Sequence, residues 1–263
     1  MNIEIKDNTK CEFFATIFQH MKLFSETINI HFKTDSLSVQ TMDNSHVSII
    51  ELSLPNTWFD KYEVESDVVI GINTVLFFKV LGTREKGQAI YIEYDGDDTD
   101  KLQIRFNCEL EKPSMLNKAF EIPLIDLDTD IMSIPVIEYE AELTMPSIHF
   151  AGLVNQLKLF GDSMDIQCSE EEIILHANSI DCGKMSVKID IDQLNSFAID
   201  EGVDMRISYS LNHLYNMVQY HKLSANVDIF IKTDFPMKIR FNIQGDNDAF
   251  IAMYLAPKIV DDC

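Results

Sequence analysis

Compared with itself without gaps, the 263-residue chain matches at an offset of 136: Met21-Lys22-Leu23-Phe24 returns as Leu157-Lys158-Leu159-Phe160. In the same frame Ile28-Asn29-Ile30 meets Met164-Asp165-Ile166, and Leu37-Ser38-Val39 meets Ile173-Ile174-Leu175. QIRFN at 103–107 returns as KIRFN at 238–242. Such self-similarity restricts the chain to two copies of one domain of about 130 residues. The junction between them is expected near Ile122 to Val136.

Within each copy the apolar period switches from 2 to 3.6 and back. Phe14, Ile17, Phe18 and Met21 fall at helical spacing, as do Phe150, Leu153, Val154 and Leu157. A second helix per copy is predicted around Val75, Leu76 and Val80, and around Leu211, Leu214, Tyr215 and Val218. Between them lie alternating runs that read as strands: INIHF, LSVQT, VSIIEL, VVIGI, AIYIEY and KLQIRF in the first copy, and MDIQC, IILHA, MSVKIDI, MRISYS, VDIFI and MKIRF in the second. The fold class is therefore α+β, two similar sheet-rich domains with two helices each. The expected division is 1–121, a connector at 122–138, and 139–263. Pro123 and Pro135 exclude a central strand there, so the connector reads as extended surface chain. Its Leu127, Met132, Ile134 and Ile137 need an apolar groove.

Formal charge is −22, from 43 acidic and 21 basic residues. A protein that grips DNA with its whole surface is thereby excluded, because phosphate neutralisation supplies non-specific affinity. The basic residues are not evenly spread. Helical windows at 10–25, 73–86, 147–160 and 210–222 hold Lys10, Lys22, Lys79, Arg84, Lys86, Lys158 and Lys222 against Glu12 and Glu85 alone. His20, His149, His213 and His221 fall on the same windows, so their charge rises as pH drops towards about 6.5.

Cys11, Cys108, Cys168, Cys182 and Cys263 are odd in number and lack metal-ligand spacing, which reads as a reduced thiol set. No apolar run approaches the roughly 20 residues of a membrane span, and MNIEIKDNTK is too polar for a signal peptide. An intracellular protein without membrane partners is expected. Asp43, Ser45 and His46 carry the letters of a hydrolase triad, but near-adjacent residues on one turn lack its geometry. Asp97-Asp98 and Asp261-Asp262 are solvated acidic pairs rather than a Mg²⁺ site. No phosphate-binding loop or HExxH occurs. No catalytic residue, metal or cofactor is expected.

Leu37 to Leu54, LSVQTMDNSHVSIIELSL, reads as strand, tight polar turn and strand, with the turn at Asp43-Asn44-Ser45. This stretch resembles the signature of the proliferating cell nuclear antigen sliding clamps. Three further stretches are similar to that family in the right order: IDLDTDIMSIPVIEY (125–139), MPSIHF (145–150) and YLAPKI (254–259). The resemblance implies a DNA clamp fold in which three chains close head to tail as a six-domain ring around double-stranded DNA, without sequence specificity. It also implies a processivity factor for DNA polymerase, loaded by a separate clamp loader, in the nucleus or at a site of viral DNA replication. A subunit of a heterotrimeric clamp and an acidic peptide-binding adaptor that does not encircle DNA are the alternatives.

By the same resemblance the DNA-facing residues are Lys10, His20, Lys22, Lys79, Arg84, Lys86, His149, Asn155, Lys158, Asn212, Gln219, His221 and Lys222. Ala15, Thr16, Gly82, Gly152, Asn155, Asn212 and Gln219 are neutral where the family carries Lys or Arg, so a thinly basic lining is expected. The implied partner-peptide pocket comprises Met42, His46, Val47, Ile49, Met132, Ile134, Pro135, Tyr139, Pro236, Tyr254, Leu255, Ala256 and Pro257. Met adapts its shape, Tyr adds a polar tip, and the backbone at Ala256 is expected to bond an incoming peptide. Subunit edges are implied at 116–122 and 177–187, marked by Phe120, Ile122, Ala177 and Ile180. Glu170 stands where the family has its modifier-accepting Lys, so that switch is not implied.

Overall fold

The computed structural model describes residues 1–96, 100–108, 116–128 and 131–259. The acidic pairs Asp97-Asp98 and Asp261-Asp262, and Cys263, lie outside the described residues. In the first copy the elements are β1 (Asn2–Ile5), α1 (Asn8–Met21), β2 (Thr27–Phe32), β3 (Ser36–Met42), β4 (Ser48–Pro55), β5 (Lys61–Glu63), β6 (Val68–Asn73), α2 (Thr74–Leu81), β7 (Gln88–Glu93), β8 (Lys101–Cys108) and β9 (Lys118–Pro123). The second copy follows with β10 (Ala141–Pro146), α3 (Ser147–Leu157), β11 (Ser163–Ser169), β12 (Ile173–Ser179), β13 (Gly183–Ile189), β14 (Ser196–Ile199), β15 (Asp204–Ser210), α4 (Leu211–Met217), β16 (Asn226–Ile231), β17 (Met237–Asn242) and β18 (Phe250–Leu255).

The repeat holds strand for strand. The first copy orders its strands β5-β1-β7-β8-β9 and β4-β3-β2-β6; the second orders them β14-β10-β16-β17-β18 and β13-β12-β11-β15. Every predicted strand run is present. Those missed are short or lie at copy boundaries: β1 has four residues and β5 three, too few to show a period.

The chain divides into two compact units, Met1–Met42 with Glu51–Met132, and Asp43–Ile50 with Ser133–Cys263. The changeover at Met132/Ser133 falls inside the expected connector. The signature turn of the first copy goes with the second unit, where the Ala256 N–H donates to the Val47 carbonyl at 3.0 Å.

Helix bounds follow their caps. Asp7 accepts from the Lys10 N–H at 2.9 Å and starts α1; Asn73 accepts from the Leu76 N–H at 2.8 Å and starts α2. In α2 the buried positions are Thr74, Phe77, Val80 and Leu81, so the face is turned from the expected Val75, Leu76, Val80. Phe77 fixes that rotation. Its ring centroid lies 4.7 Å from Phe18 and 6.3 Å from Phe14 of α1, an aromatic cluster that locks the helix pair. In the second unit Phe150, Val154 and Leu157 of α3 and Leu211, Leu214 and Met217 of α4 are buried. Buried Ser147 secures the start of α3, its hydroxyl donating to the His221 carbonyl at 2.8 Å. α4 continues as a 3₁₀ turn over Val218–Lys222.

Candidate functional site

Each helix pair presents a face with few acids, and the basic residues sit largely at helix ends. Lys22 and Lys158 cap the C-termini of α1 and α3, and Lys222 ends the 3₁₀ turn after α4. A cation there opposes the negative end of the helix dipole. Lys79 and Lys86 are exposed, but Arg84 and Lys86 lie beyond the end of α2, not on it. Two expected DNA-facing cations depart from that role. The Lys10 ammonium donates to the Trp58 carbonyl at 2.6 Å and lies 5.6 Å from its ring. The Arg84 guanidinium donates to the Gln88 carbonyl at 2.8 Å and to Asn8 Oδ1 at 2.6 Å. Both are half-buried and committed within the first unit.

His20 and His221 are half-buried and His149 exposed. His221 Nδ1 faces the Val218 carbonyl at 2.9 Å, and Gln219 donates to the Tyr215 carbonyl at 2.8 Å, so both serve the helix end first. His149 lines a cleft between α3 and β13, while Asn155 and Asn212 are exposed on α3 and α4.

In the second unit the signature turn is built on Asp43. The His46 N–H donates to the Asp43 carbonyl at 2.9 Å, and His46 takes a left-handed φ of 58°. The Asp43 carboxylate accepts from the backbone N–H groups of Ser45 at 3.1 Å, Val47 at 2.9 Å and Ser48 at 2.5 Å, and from the Ser45 hydroxyl. Burial pushes this carboxyl up, but the Ser45 hydroxyl and the N–H groups of Ser48 and Ser45 outweigh burial and hold it well below the usual carboxylate range.

His213 of α4 completes the cluster: Nε2 lies 3.4 Å from Asp43 Oδ2 and 3.2 Å from Ser45 Oγ, while Nδ1 faces Ser210 Oγ at 2.9 Å. Acid and hydroxyl share one ring nitrogen, which is not the relay a hydrolase needs. Sequence reading could not find His213 as Asp43's neighbour, since 170 residues separate them.

Of the expected pocket residues in the second unit, His46, Val47 and Ile49 are brought together with Ala256 through the Val47 carbonyl. The Ala256 N–H is therefore already engaged within the unit. Tyr139 stacks on Phe230 at 5.3 Å. The Lys238 ammonium lies 5.4 Å from the Phe230 ring and 5.6 Å from that of Tyr254, so Phe230 and Lys238 link two expected pocket tyrosines. Neither was singled out in the sequence, although strand register brings them together: Phe230 pairs with Lys238, and Lys238 with Tyr254. Pro236 is exposed, Leu255 is buried in β18, and Ile134 and Pro257 are half-buried. Pro135 and Val136 are exposed.

Met42 and Met132 belong to the first unit. There the Gln40 amide grips the connector backbone from both sides, donating to the Met132 carbonyl at 3.1 Å and accepting from its N–H at 2.6 Å. Upstream, the Ile125 N–H donates to the Gly71 carbonyl at 2.9 Å and Asn29 donates to the Leu127 carbonyl at 3.1 Å. In the second unit Glu140 accepts from the Thr233 N–H at 3.0 Å and hydroxyl at 2.8 Å; these bonds, the backbone one foremost, hold its carboxyl below its ordinary value. Connector residues Thr129 and Asp130 lie outside the described residues.

Among the six strands that end a sheet are β9 in the first copy and β13 in the second. Of the expected edge residues, Phe120 lies half-exposed on β9, packed 5.6 Å from Phe106, and Ile180 is fully exposed at the β12–β13 turn. Ala177 is a correction, whereas Ile122 lies on β9 itself. Ala177 is buried on β12, an inner strand, and pairs with Met185 of β13; Ile122 turns its side chain into the core. Beside β13 a cleft of about 360 Å³ is lined by Ile148, Gly152, Leu153, Val187, Ile189 and Leu194, among others.

Comparison with known proteins places this geometry. Residues 4–131 match the family model for the proliferating cell nuclear antigen N-terminal domain, and residues 133–259 that for its C-terminal domain. A proliferating cell nuclear antigen of Chaetomium thermophilum is 26% identical over 240 residues, covering 89% of this chain and 90% of that protein. Proliferating cell nuclear antigen 2 of Drosophila melanogaster is 26% identical over 227 residues, 86% of each. A chain of the PCNA2–PCNA3 complex from Sulfolobus tokodaii shares the fold with a TM-score of 0.84 at 23% identity, covering 98% of this chain and 99% of that one.

Proposed function

The chain belongs to the proliferating cell nuclear antigen family, and on that premise we propose that it closes with two further copies of itself into a ring that encircles duplex DNA. In this role it tethers DNA polymerase and offers replication and repair proteins a docking pocket, acting in the nucleus or at a site of viral DNA replication. It is not an enzyme; a separate loader opens the ring.

The observation that carries the reading is that both expected interface segments, 116–122 and 177–187, include a strand that ends its sheet. β9 ends a sheet of the first copy and β13 ends a sheet of the second, so one chain carries both halves of a head-to-tail contact. Left open, such edges invite aggregation. The cleft beside β13 is shaped to receive apolar side chains, and Leu116 stands exposed just ahead of β9. The helix faces, poor in acid on a chain of charge −22, suit loose phosphate contact along a topologically held strand. In the second unit Tyr139 and Tyr254 supply apolar bodies with polar tips, and in the first Gln40 holds the connector backbone at Met132.

Solution mass by light scattering at low micromolar concentration tests the ring. The wild-type chain is expected at three chains. Ile148→Arg puts a charge in the cleft from a largely exposed position and is expected to shift the mass to one chain with an unchanged circular dichroism spectrum. A wild-type monomer would overturn the self-closing ring and favour a ring completed by a different chain.

A further inference from the structure

In both units a lysine at the end of the first helix lies over an aromatic ring of the second. Lys22 Nζ is 4.1 Å from the centroid of Phe78, and Lys158 Nζ is 3.9 Å from that of Tyr215. The two lysines are repeat partners at the offset of 136, and their rings sit at matching places in α2 and α4 although one is Phe and the other Tyr. The device has been built twice, with different residues, in a chain whose copies share few identities.

Its chemistry differs from that of four strand lysines, although Lys238 of β17 likewise lies over aromatic rings. Lys61, Lys101, Lys118 and Lys188 each pair with a glutamate within 4.0 Å. Such a pair holds the side chain and cancels its charge. Lys22 and Lys158, among the described residues, make no ion pair. A ring face attracts the ammonium through its quadrupole yet carries no net charge, so each half-buried lysine is held in place without its charge being cancelled. With 43 acidic residues available, several lysines take carboxylate partners; these two helix-end lysines take rings instead. Pre-ordering a long side chain removes part of the entropy cost of meeting a ligand, about 0.5–1.5 kcal/mol for a rotamer-rich side chain.

We propose that Phe78 and Tyr215 are positioning residues that hold Lys22 and Lys158 as pre-ordered, un-neutralised contacts to the phosphate backbone of duplex DNA. The proposal rests on the reading of the chain as a DNA-encircling clamp and goes beyond it by naming the two rings that aim Lys22 and Lys158. It also accounts for how a lining with few cations keeps hold of its phosphates.

The test is binding of the intact protein to a short linear duplex with free ends, read by fluorescence anisotropy across a sodium chloride series, with light scattering as a check on mass. In Lys22→Gln/Lys158→Gln the slope of log affinity against log salt is expected to fall by about 0.9 for each phosphate that is no longer neutralised. In Phe78→Leu/Tyr215→Leu the charges remain, so the slope is expected to hold while affinity drops about threefold per ring. Tyr215→Phe keeps the ring face and is expected to bind as wild type. A merely structural role would move mass or melting, not this split between slope and affinity. Wild-type affinity in the double ring variant, an unchanged slope in the double lysine variant, or a Tyr215→Phe as weak as Tyr215→Leu would each overturn the proposal. If the wild-type chain keeps its three-chain mass but binds no duplex at the lowest salt, the clamp reading itself fails and the proposal falls with it.

Discussion

Asp43 is buried at the base of the signature turn and stays charged because the turn is folded around its carboxylate. Three backbone N–H groups and one hydroxyl point at it, and hydrogen bonds to a charged group contribute more than neutral ones, about 1.5–3 kcal/mol. Asp43→Asn keeps the shape but turns an amide donor towards those donors. It is expected to lower the unfolding free energy by about 1.5–3 kcal/mol in urea titration. The sign of the pH dependence follows from a folded carboxyl held below its unfolded value. Its stabilisation is complete above the unfolded value, near pH 4, and is lost as pH falls through the folded one. Wild type and Asp43→Asn should therefore converge as pH falls below about 4. A gap that widens on acidification would refute this account. The turn itself was readable as MDNSHV. Its closing partners, His213 and Ala256, were not, because sequence distance says nothing of which residues meet across a unit.

At the scale of elements, the connector is ordinary extended chain with unusual anchorage. An added Cβ at Gly71 would sit 2.0 Å from the Ile125 carbonyl oxygen, backbone against backbone, where no side chain can yield. Gly71→Ala is expected to displace the connector's start and cost about 1–3 kcal/mol of first-unit stability. Hydrogen exchange should rise at 124–128 and leave α1 and α2 unchanged; unaltered protection at Ile125 would show that the connector adapts without leaving β6. The helices were legible from period, but α2 was read one residue out of phase. VLFFKV offers two adjacent phenylalanines, and only packing against Phe14 and Phe18 decides that Phe77 is core and Phe78 is left under Lys22. Likewise 177–187 was read as one edge, whereas pairing buries Ala177 inside the sheet and exposes β13 alone.

For the whole molecule, charge is the dominant long-range term. With 43 acidic against 21 basic residues, self-repulsion opposes the folded state and is screened as salt rises. The melting temperature is expected to rise by about 2–5 °C between about 20 mM and about 200 mM sodium chloride, the opposite of the trend for DNA binding. A fall over that range would mean that surface ion pairs such as Lys101–Glu121 and Lys188–Glu172 outweigh the net repulsion. Two copies of one α+β domain and the family both followed from sequence alone, since repeat offset, apolar period and motif order are local or translational properties of the chain. Which lysines remain un-neutralised, which strands end a sheet and which residues close on Asp43 were decided only by tertiary structure. Each depends on a partner brought near by folding, and burial and pairing of that kind leave no period in the sequence.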